Sequence, residues 1–457
     1  MSPGQEFWSR TATELNLCYQ SGDSHPVQVT EACLARIEES NPTLNAIVTL
    51  DVDGALRAAA ESRERWRKGD QRGVLDGVPL TVKDNLFVAG LKATWGSLLF
   101  ENHVAVMDDI AVTRLKDAGA IILGKTNTPE FSLAGYTDNR VFGSTGNPWA
   151  PEMSSGGSSG GAASAVMAGM APLALVTDAG GSTRRPASHV GCIGLKPSVN
   201  RVPRRFGFPM LAADMQAIGV LARSAKDARA MFNIIGDSVP GRRSDASRLK
   251  IGAFCAIGEH PVEADVKDCW RRAIETLSNL GHTVEEVEAP YVPDNMSKLL
   301  LDLAAVGIAR IVSHHPGWQD KVTGPMEALA EKGLVTLAVD YDDLLKEMAQ
   351  IRWRIRDVFE NVDMLLTPTA PVALWPRGDP YPKTIAGATA SARDSGIYTT
   401  FVNAAGLPAI SLPSGLDSRG HPVGIQLVAP MNSDSLLLDM AEIWEEAAPW
   451  EPLAPNR

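Results

Sequence analysis

The sequence predicts an α/β protein with a mixed, largely parallel central sheet sandwiched by helices. Two observations carry that prediction. From about residue 77, short apolar runs bounded by Gly and Pro (GVPLTVKD, AIILGKTN, APLALVTD, CIGLKPS) read as buried strands. Between them lie stretches of helical pattern, DIAVTRLKDAG and GGAASAVMAGM. Strand alternating with helix is the signature of a layered fold with parallel strands. The length and composition allow a large core: 457 residues, 44% hydrophobic and 21% charged. No internal repeat and no compositional break divides the chain, so residues 1–457 are expected to form one domain.

The elements follow in order. Residues from about 5 to 75 read as N-terminal helices. Ser24 and Pro26 mark one start, with Val29, Cys33, Leu34 and Ile37 at helical spacing, and a second helix is expected from Asp53 to Lys68. The strand-rich core spans about 76–235. A helical insert covers about 240–365: LKIGAFCAIG reads as a strand, 263–280 and 325–360 as amphipathic helices, with Trp353, Ile355 and Val358 late in the second. MLLTPTAPV returns to strand. Residues 373–396 show no period and read as a lid or binding loop. YTTFVNAAGLPAISLPSG and PVGIQLVAP read as strands that complete the sheet by about 450.

A formal net charge of −11 argues against a nucleic-acid partner, which needs a basic surface. Five scattered cysteines without CxxC spacing fit buried thiols in a reducing compartment rather than a disulfide frame or a zinc site. The stretch MSPGQEFWSRTATELN lacks a basic region followed by an apolar run, so no signal peptide is expected. No run of about 18 apolar residues predicts a membrane span. The expected location is the cytoplasm.

The stretch SSGGSSGGAAS, residues 154–164, holds five serines and four glycines. As a flexible linker it is misplaced, because it runs directly into an apolar helix and strand. As a phosphate cradle it lacks both GxxxxGK[ST] and GxGxxG. Residues 156–160 satisfy the GxSxG nucleophile elbow. NPWAPEMS is a poor strand to precede an elbow, however, and none of the eight histidines is an evident triad partner. His189, near the next serine of interest, reads as structural.

That next serine is Ser182, in TDAGGSTRRPAS, where adjacent glycines allow backbone amides to converge on an oxyanion. Upstream, Lys83 ends an apolar strand; a lysine in an apolar site loses its charge and becomes a general base. Taken with these, the sequence resembles the amidase signature family of serine hydrolases. Its core pattern is matched by the Gly-Gly-Ser-Ser-Gly-Gly stretch, by a Thr-Asp-x-Gly-Gly-Ser stretch that sets Ser182 twenty-four positions after Ser158, and by Gly-Val-Pro-x-x-x-Lys-Asp over residues 77–84. GKTNTPEF, FGSTGNPW, GLKPS, LLTPTAP, NAAGLPAISLPSG and the helix VTEACLARIEESNPTLNAIV are similar too.

The resemblance implies the amidase signature fold and a role for each matching residue. Ser182 is the implied nucleophile, Ser158, in a cis peptide linkage, the proton relay, and Lys83 the base. Amides of Ala179, Gly180, Gly181 and Ser182 would bind the oxyanion, with Ser159, Thr177, Asp178 and Arg184 as supports. No metal and no organic cofactor are needed. Pocket candidates are Trp95, Phe131, Tyr136, Met153 and Trp375. Arg185 stands where a few relatives hold a substrate carboxylate; the competing reading is a structural salt bridge. The IYTTFVNAAG stretch lacks the acid that the glutamine-using component of the tRNA-dependent amidotransferase tends to carry. The expectation is thus a free-standing amidase, monomer or homodimer, acting on small aromatic or aliphatic amides, with esters and carbamates (urethanes) accommodated by acyl-serine chemistry. The alternatives are that glutaminase component of the amidotransferase, or a non-catalytic scaffold on the same fold.

Overall fold

The structure is a computed structural model that describes residues 7–238, 246–451 and 453–455. The first six residues of the N-terminal stretch and the expected start of the insert near 240 lie outside the described residues.

Eleven strands build one sheet: β1 (Ile47–Leu50), β2 (Pro79–Lys83), β3 (Ile121–Thr126), β4 (Leu173–Asp178), β5 (Ile193–Lys196), β6 (Ala217–Ala222), β7 (Lys250–Ala253), β8 (Thr283–Glu286), β9 (Met364–Pro368), β10 (Ala409–Leu416) and β11 (Pro422–Val428). Their spatial order is β1-β3-β2-β4-β6-β5-β10-β11-β9-β7-β8. The sheet is mixed. Parallel pairs form two blocks, β3-β2-β4 and β9-β7-β8. Antiparallel pairs run through the middle and add β1 at one edge. Chain connection explains the division. The helix Ile110–Asp117 carries β2 over to β3, and the helix Gly160–Met167 precedes β4, whereas only residues 417–421 join β10 to β11, too short for anything but a hairpin.

The N-terminal region is helical at Ala12–Ser21, Pro26–Leu44 and Val52–Lys68, but the short edge strand β1 interrupts it. The second of these helices starts at Pro26 with His25, not Ser24, as the capping side chain, and Val29, Cys33 and Ile37 are buried as their spacing predicts. In the insert, the expected 325–360 helix is two helices, Gly324–Val335 and Ala338–Asp357, with a further one at Pro293–Val312. The break falls at Thr336, whose backbone is extended, within an apolar run (LVTLAV) that offers no polar punctuation to reveal it. Ile355 is buried, but Trp353 is 68% exposed: two residues from Ile355, it stands on the far side of the helix. Thr400–Ala405 is also a helix rather than a strand, ended by Gly406 in the left-handed region.

The serine–glycine stretch packs closely against its neighbours. The Gly160–Met167 helix is buried on every side. A Cβ on Gly161 would stand 2.5 Å from the Asn127 nitrogen and 2.7 Å from the Ala46 carbonyl oxygen, both backbone atoms that cannot swing away. A Cβ on Gly157 would stand 2.5 Å from the Tyr136 carbonyl oxygen. These glycines are the reason the segment can lie flat against the core beside the ends of β2 and β4. Gly161→Ala is therefore expected to lower stability by about 1–3 kcal/mol, read as a shifted urea midpoint at unchanged slope.

Candidate active site

Lys83 ends β2, and Asp178 ends the neighbouring parallel strand β4. Both therefore emerge at the carboxyl end of the parallel block, where open α/β sheets place their sites. The Lys83 side chain is fully buried. Its Nζ lies 2.7 Å from Ser158 Oγ and 3.0 Å from Ser159 Oγ, and no carboxylate lies within ion-pair distance of it among the described residues. Burial pushes the amine well below the usual lysine range. The Asp178 charge opposes that shift, and the guanidiniums of Arg204 and Arg185 reinforce it. A neutral amine at this distance can accept the Ser158 hydroxyl proton. The Gly157–Ser158 peptide is cis, as the family resemblance implies.

Asp178 organises the loop that carries Ser182. Its Oδ1 accepts from the Gly181 amide at 2.7 Å, and its Oδ2 accepts from the Thr183 amide at 2.9 Å. Arg184 grips both oxygens, Nη2 to Oδ1 at 2.8 Å and Nε to Oδ2 at 3.1 Å. The same guanidinium donates to the Thr399 carbonyl, Gln426 Oε1 and Asn403 Oδ1. Burial alone would raise the Asp178 carboxyl, but the Arg184 charge and hydrogen bonds hold it well below the usual carboxylate range. This bonding divides the expected oxyanion donors. The Gly181 amide is committed to Asp178, whereas the amides of Ala179, Gly180 and Ser182 have no hydrogen-bond partner among the described residues.

Ser158 and Ser182 line one narrow cavity of about 20 Å³ with Thr177, Ala179, Trp95, Phe131, Ser132, Leu133, Leu211, Ala212 and Gln216. Such a space holds one water-sized group, so a substrate must displace part of the wall. Thr177 Oγ1 accepts from Asn85 Nδ2, and Ser159 donates its amide to the Ser182 carbonyl. Of the pocket candidates, Trp95 and Phe131 are in place. Their rings meet edge to face at 5.4 Å, and Phe208 stacks on Trp95 at 4.6 Å.

Tyr136, Met153 and Trp375 are not brought to this cavity. Trp375 is buried with Val372, Ile385 and Ala390 in a separate apolar cluster against Tyr136, and Met153 pairs through its backbone with Pro376. The start of the 373–396 loop is thus anchored beside residues 150–154 instead of overlying Ser182. His189 is structural: it is buried edge-on to Trp375, its Nδ1 meets the Ala373 carbonyl, and burial pushes its imidazole down to about 4. Arg185 has no carboxylate partner among the described residues, which removes the salt-bridge reading. Five wall residues, Ser132, Leu133, Leu211, Ala212 and Gln216, were not anticipated from the sequence. Ser132 and Leu133 directly follow the GKTNTPEF motif and were within reach; residues 211–216 precede β6 in irregular chain with no period to mark them. Among the described residues, no cluster of three or more His, Cys, Asp or Glu side chains could hold a metal. No described helix is long and apolar enough to cross a membrane.

The fold is that of the amidase signature class, whose enzymes hydrolyse amide C–N bonds. The chain belongs to the amidase family, whose profile matches residues 28–438. Its sequence is 33% identical to that of a glutamyl-tRNA(Gln) amidotransferase subunit from Thermosynechococcus vestitus, over 94% of this chain and 96% of that one. Its structure is similar to that of a bacterial aryl acylamidase of the amidase signature family, with TM-score 0.90 and 25% identity over 98% of this chain and 99% of that one. A peptide amidase is similar at TM-score 0.83 and 27% identity, covering 98% and 99% of the two chains.

Three outcomes follow from this geometry. In protein carrying 13C-labelled lysine, Lys83 should titrate well below the surface lysines. Arg204→Gln removes a nearby positive charge, stabilises the ammonium and should move the Lys83 titration to higher pH. Arg184→Leu leaves the Asp178 carboxylate buried without its partner and should cost about 3–5 kcal/mol in urea unfolding.

Proposed function

We propose that this protein is an amide hydrolase working through an acyl-serine intermediate, with Ser182 as nucleophile, Ser158 as relay and Lys83 as base. The observation that carries the reading is Lys83: fully buried, without a carboxylate and in hydrogen-bond contact with Ser158. In this mechanism the Lys83 amine takes the Ser158 proton as Ser158 takes that of Ser182. The Ser182 oxygen bonds to the substrate carbonyl carbon, and the negative charge that develops on the carbonyl oxygen meets the amides of Ala179, Gly180 and Ser182. Collapse of the tetrahedral intermediate breaks the C–N bond. The leaving nitrogen receives the proton back from Lys83 through Ser158. A water then enters by the same relay, giving the free acid and restoring Ser182.

The apolar and aromatic wall formed by Trp95, Phe131, Leu133 and Leu211 favours an acyl or aryl group of modest size, and the same chemistry extends to esters and carbamates. A glutaminase component of the tRNA-dependent amidotransferase is the second reading, favoured by the sequence relatives. Against it, no residue lining the cavity is acidic, and the ammonium group of glutamine needs a carboxylate. Size-exclusion mass separates the two: a stable monomer or homodimer is expected here.

A fluorophosphonate probe tests the reading without a guess at the substrate. The adduct should map by mass spectrometry to Ser182. Lys83→Ala should slow labelling and amide turnover by about a hundred- to ten-thousand-fold. An adduct on Ser158 would restore the GxSxG reading, and undiminished turnover in Lys83→Ala would overturn the mechanism. No labelling at all would favour the scaffold.

A further inference from the structure

Asp84 directly follows Lys83 at the end of β2 and is fully buried, yet it serves a different structure from its neighbour. Its Oδ2 accepts from the Thr94 amide at 3.0 Å and from the Thr94 hydroxyl at 2.5 Å. The hydroxyl oxygen of Thr94 accepts in turn from the Gly96 amide at 3.1 Å. Lys125 of β3 backs this anchor, its Nζ 3.7 Å from Asp84 Oδ1 and 3.1 Å from the Lys92 carbonyl. A second buried carboxylate grips the same turn from its other end. Glu130 Oε1 accepts from Ser97 Oγ at 2.8 Å, and its Oε2 accepts from the Thr323 amide at 2.9 Å and hydroxyl at 2.6 Å. Thr323 immediately precedes the helix Gly324–Val335, so Glu130 also ties the turn to the insert.

Between the two anchors stands Trp95, with a φ of 52°. A bulky residue adopts that left-handed backbone only when its surroundings hold it there. Phe131 is held in the same way, with a φ of 50°, and its amide donates to the Trp95 carbonyl at 2.9 Å. A Cβ on Gly96 would stand 2.6 Å from the Thr128 carbonyl oxygen, so the turn lies hard against the chain that leads to Phe131. The Trp95 indole N–H donates to Ser132 Oγ at 3.2 Å. These two rings are the aromatic part of the wall facing Ser158 and Ser182. Burying a carboxylate is costly, and here two of them spend their hydrogen bonds on the four residues from Thr94 to Ser97. The result is one defined position for the Trp95 ring. Because Asp84 follows Lys83 directly, the strand end that places the base also places the wall.

We propose that Asp84 and Glu130 are positioning residues for the substrate: they lock the Thr94–Ser97 turn, so that Trp95 and Phe131 present fixed faces to a planar group on the amide. They set the preference for ring-bearing over small amides and take no part in proton transfer. For turnover this rests on the proposed role of Ser182; the placement of Trp95 does not.

The test follows benzamide, acetanilide and acetamide in the wild type, Asp84→Asn, Thr94→Val, Thr94→Ser and Ser97→Ala. The ring lies on the acyl side in benzamide and on the leaving amine in acetanilide, so the more affected of the two tells which group meets Trp95. For at least one of them, the ratio of kcat/KM over that of acetamide should fall about ten-fold in Asp84→Asn, Thr94→Val and Ser97→Ala. The loss should fall on KM, and Thr94→Ser, which keeps the hydroxyl, should retain the ratio. The Lys83 titration should stay in place in Thr94→Val. In protein carrying 5-fluorotryptophan, the 19F line assigned to Trp95 with Trp95→Phe should be single in the wild type and broaden or split in Thr94→Val and Ser97→Ala. Benzamide added to Ser182→Ala should shift that line, and adding Thr94→Val should raise the concentration needed. An unchanged ratio, an equal loss for all three amides, an undisturbed Trp95 line or a displaced Lys83 titration would overturn the proposal. A disturbed Trp95 line and a weakened response to benzamide, without fluorophosphonate labelling of the wild-type Ser182, would uphold the anchors and overturn the hydrolytic reading instead. Should Asp84→Asn fail to fold, Thr94→Val, which removes one hydroxyl and no charge, still decides.

Discussion

The buried ion pair between Asp178 and Arg184 is the constraint on which the rest of the site hangs. Asp178 closes a central strand, and its two oxygens hold the amides of Gly181 and Thr183 on either side of Ser182. Arg184 ties that carboxylate to Asn403 and Thr399 around the Thr400–Ala405 helix and to Gln426 of β11. One hydrogen-bonded cluster thus fixes the loop bearing Ser182 to elements more than two hundred residues further along the chain. Buried charges are tolerable only when paired and fully hydrogen-bonded, and this pair is.

Close by, the opposite arrangement holds. Lys83 and Arg185 are withdrawn from water without an ion-paired carboxylate among the described residues. For the lysine, the consequence is an amine that gives up its proton far more readily than usual, because desolvation outweighs the attraction of Asp178. An arginine cannot respond in the same way at neutral pH and keeps its charge. One environment thereby produces two kinds of group, an amine of lowered basicity suited to proton transfer and a guanidinium that keeps its charge.

Membership in the amidase family accounts for the shared layout and leaves the substrate open. Relatives of similar coverage include an aryl acylamidase, a peptide amidase and one component of an amidotransferase. What distinguishes this chain lies in the wall around Ser182 and in the buried Arg185 beside it.

Much of the architecture was legible in residue order. Apolar runs bounded by Gly and Pro located β2, β3, β4, β5, β7, β9, β10 and β11, because a strand buried on both faces must be apolar throughout. The resemblance to the amidase signature family also brought Lys83, Ser158, Ser182 and Asp178 into one hypothesis, through motifs at the ends of such runs and in glycine-rich turns. Trp95 and Phe131 were legible as pocket residues. Tyr136, Met153 and Trp375 were not, because aromatic and apolar character is the same in a pocket wall and in a satellite core. The split of the 325–360 helix, the commitment of the Gly181 amide to Asp178 and the absence of a carboxylate partner for Arg185 among the described residues belong to the folded state alone. Each depends on which groups from distant segments meet, and neither composition nor local period encodes a contact between residues 185 and 395.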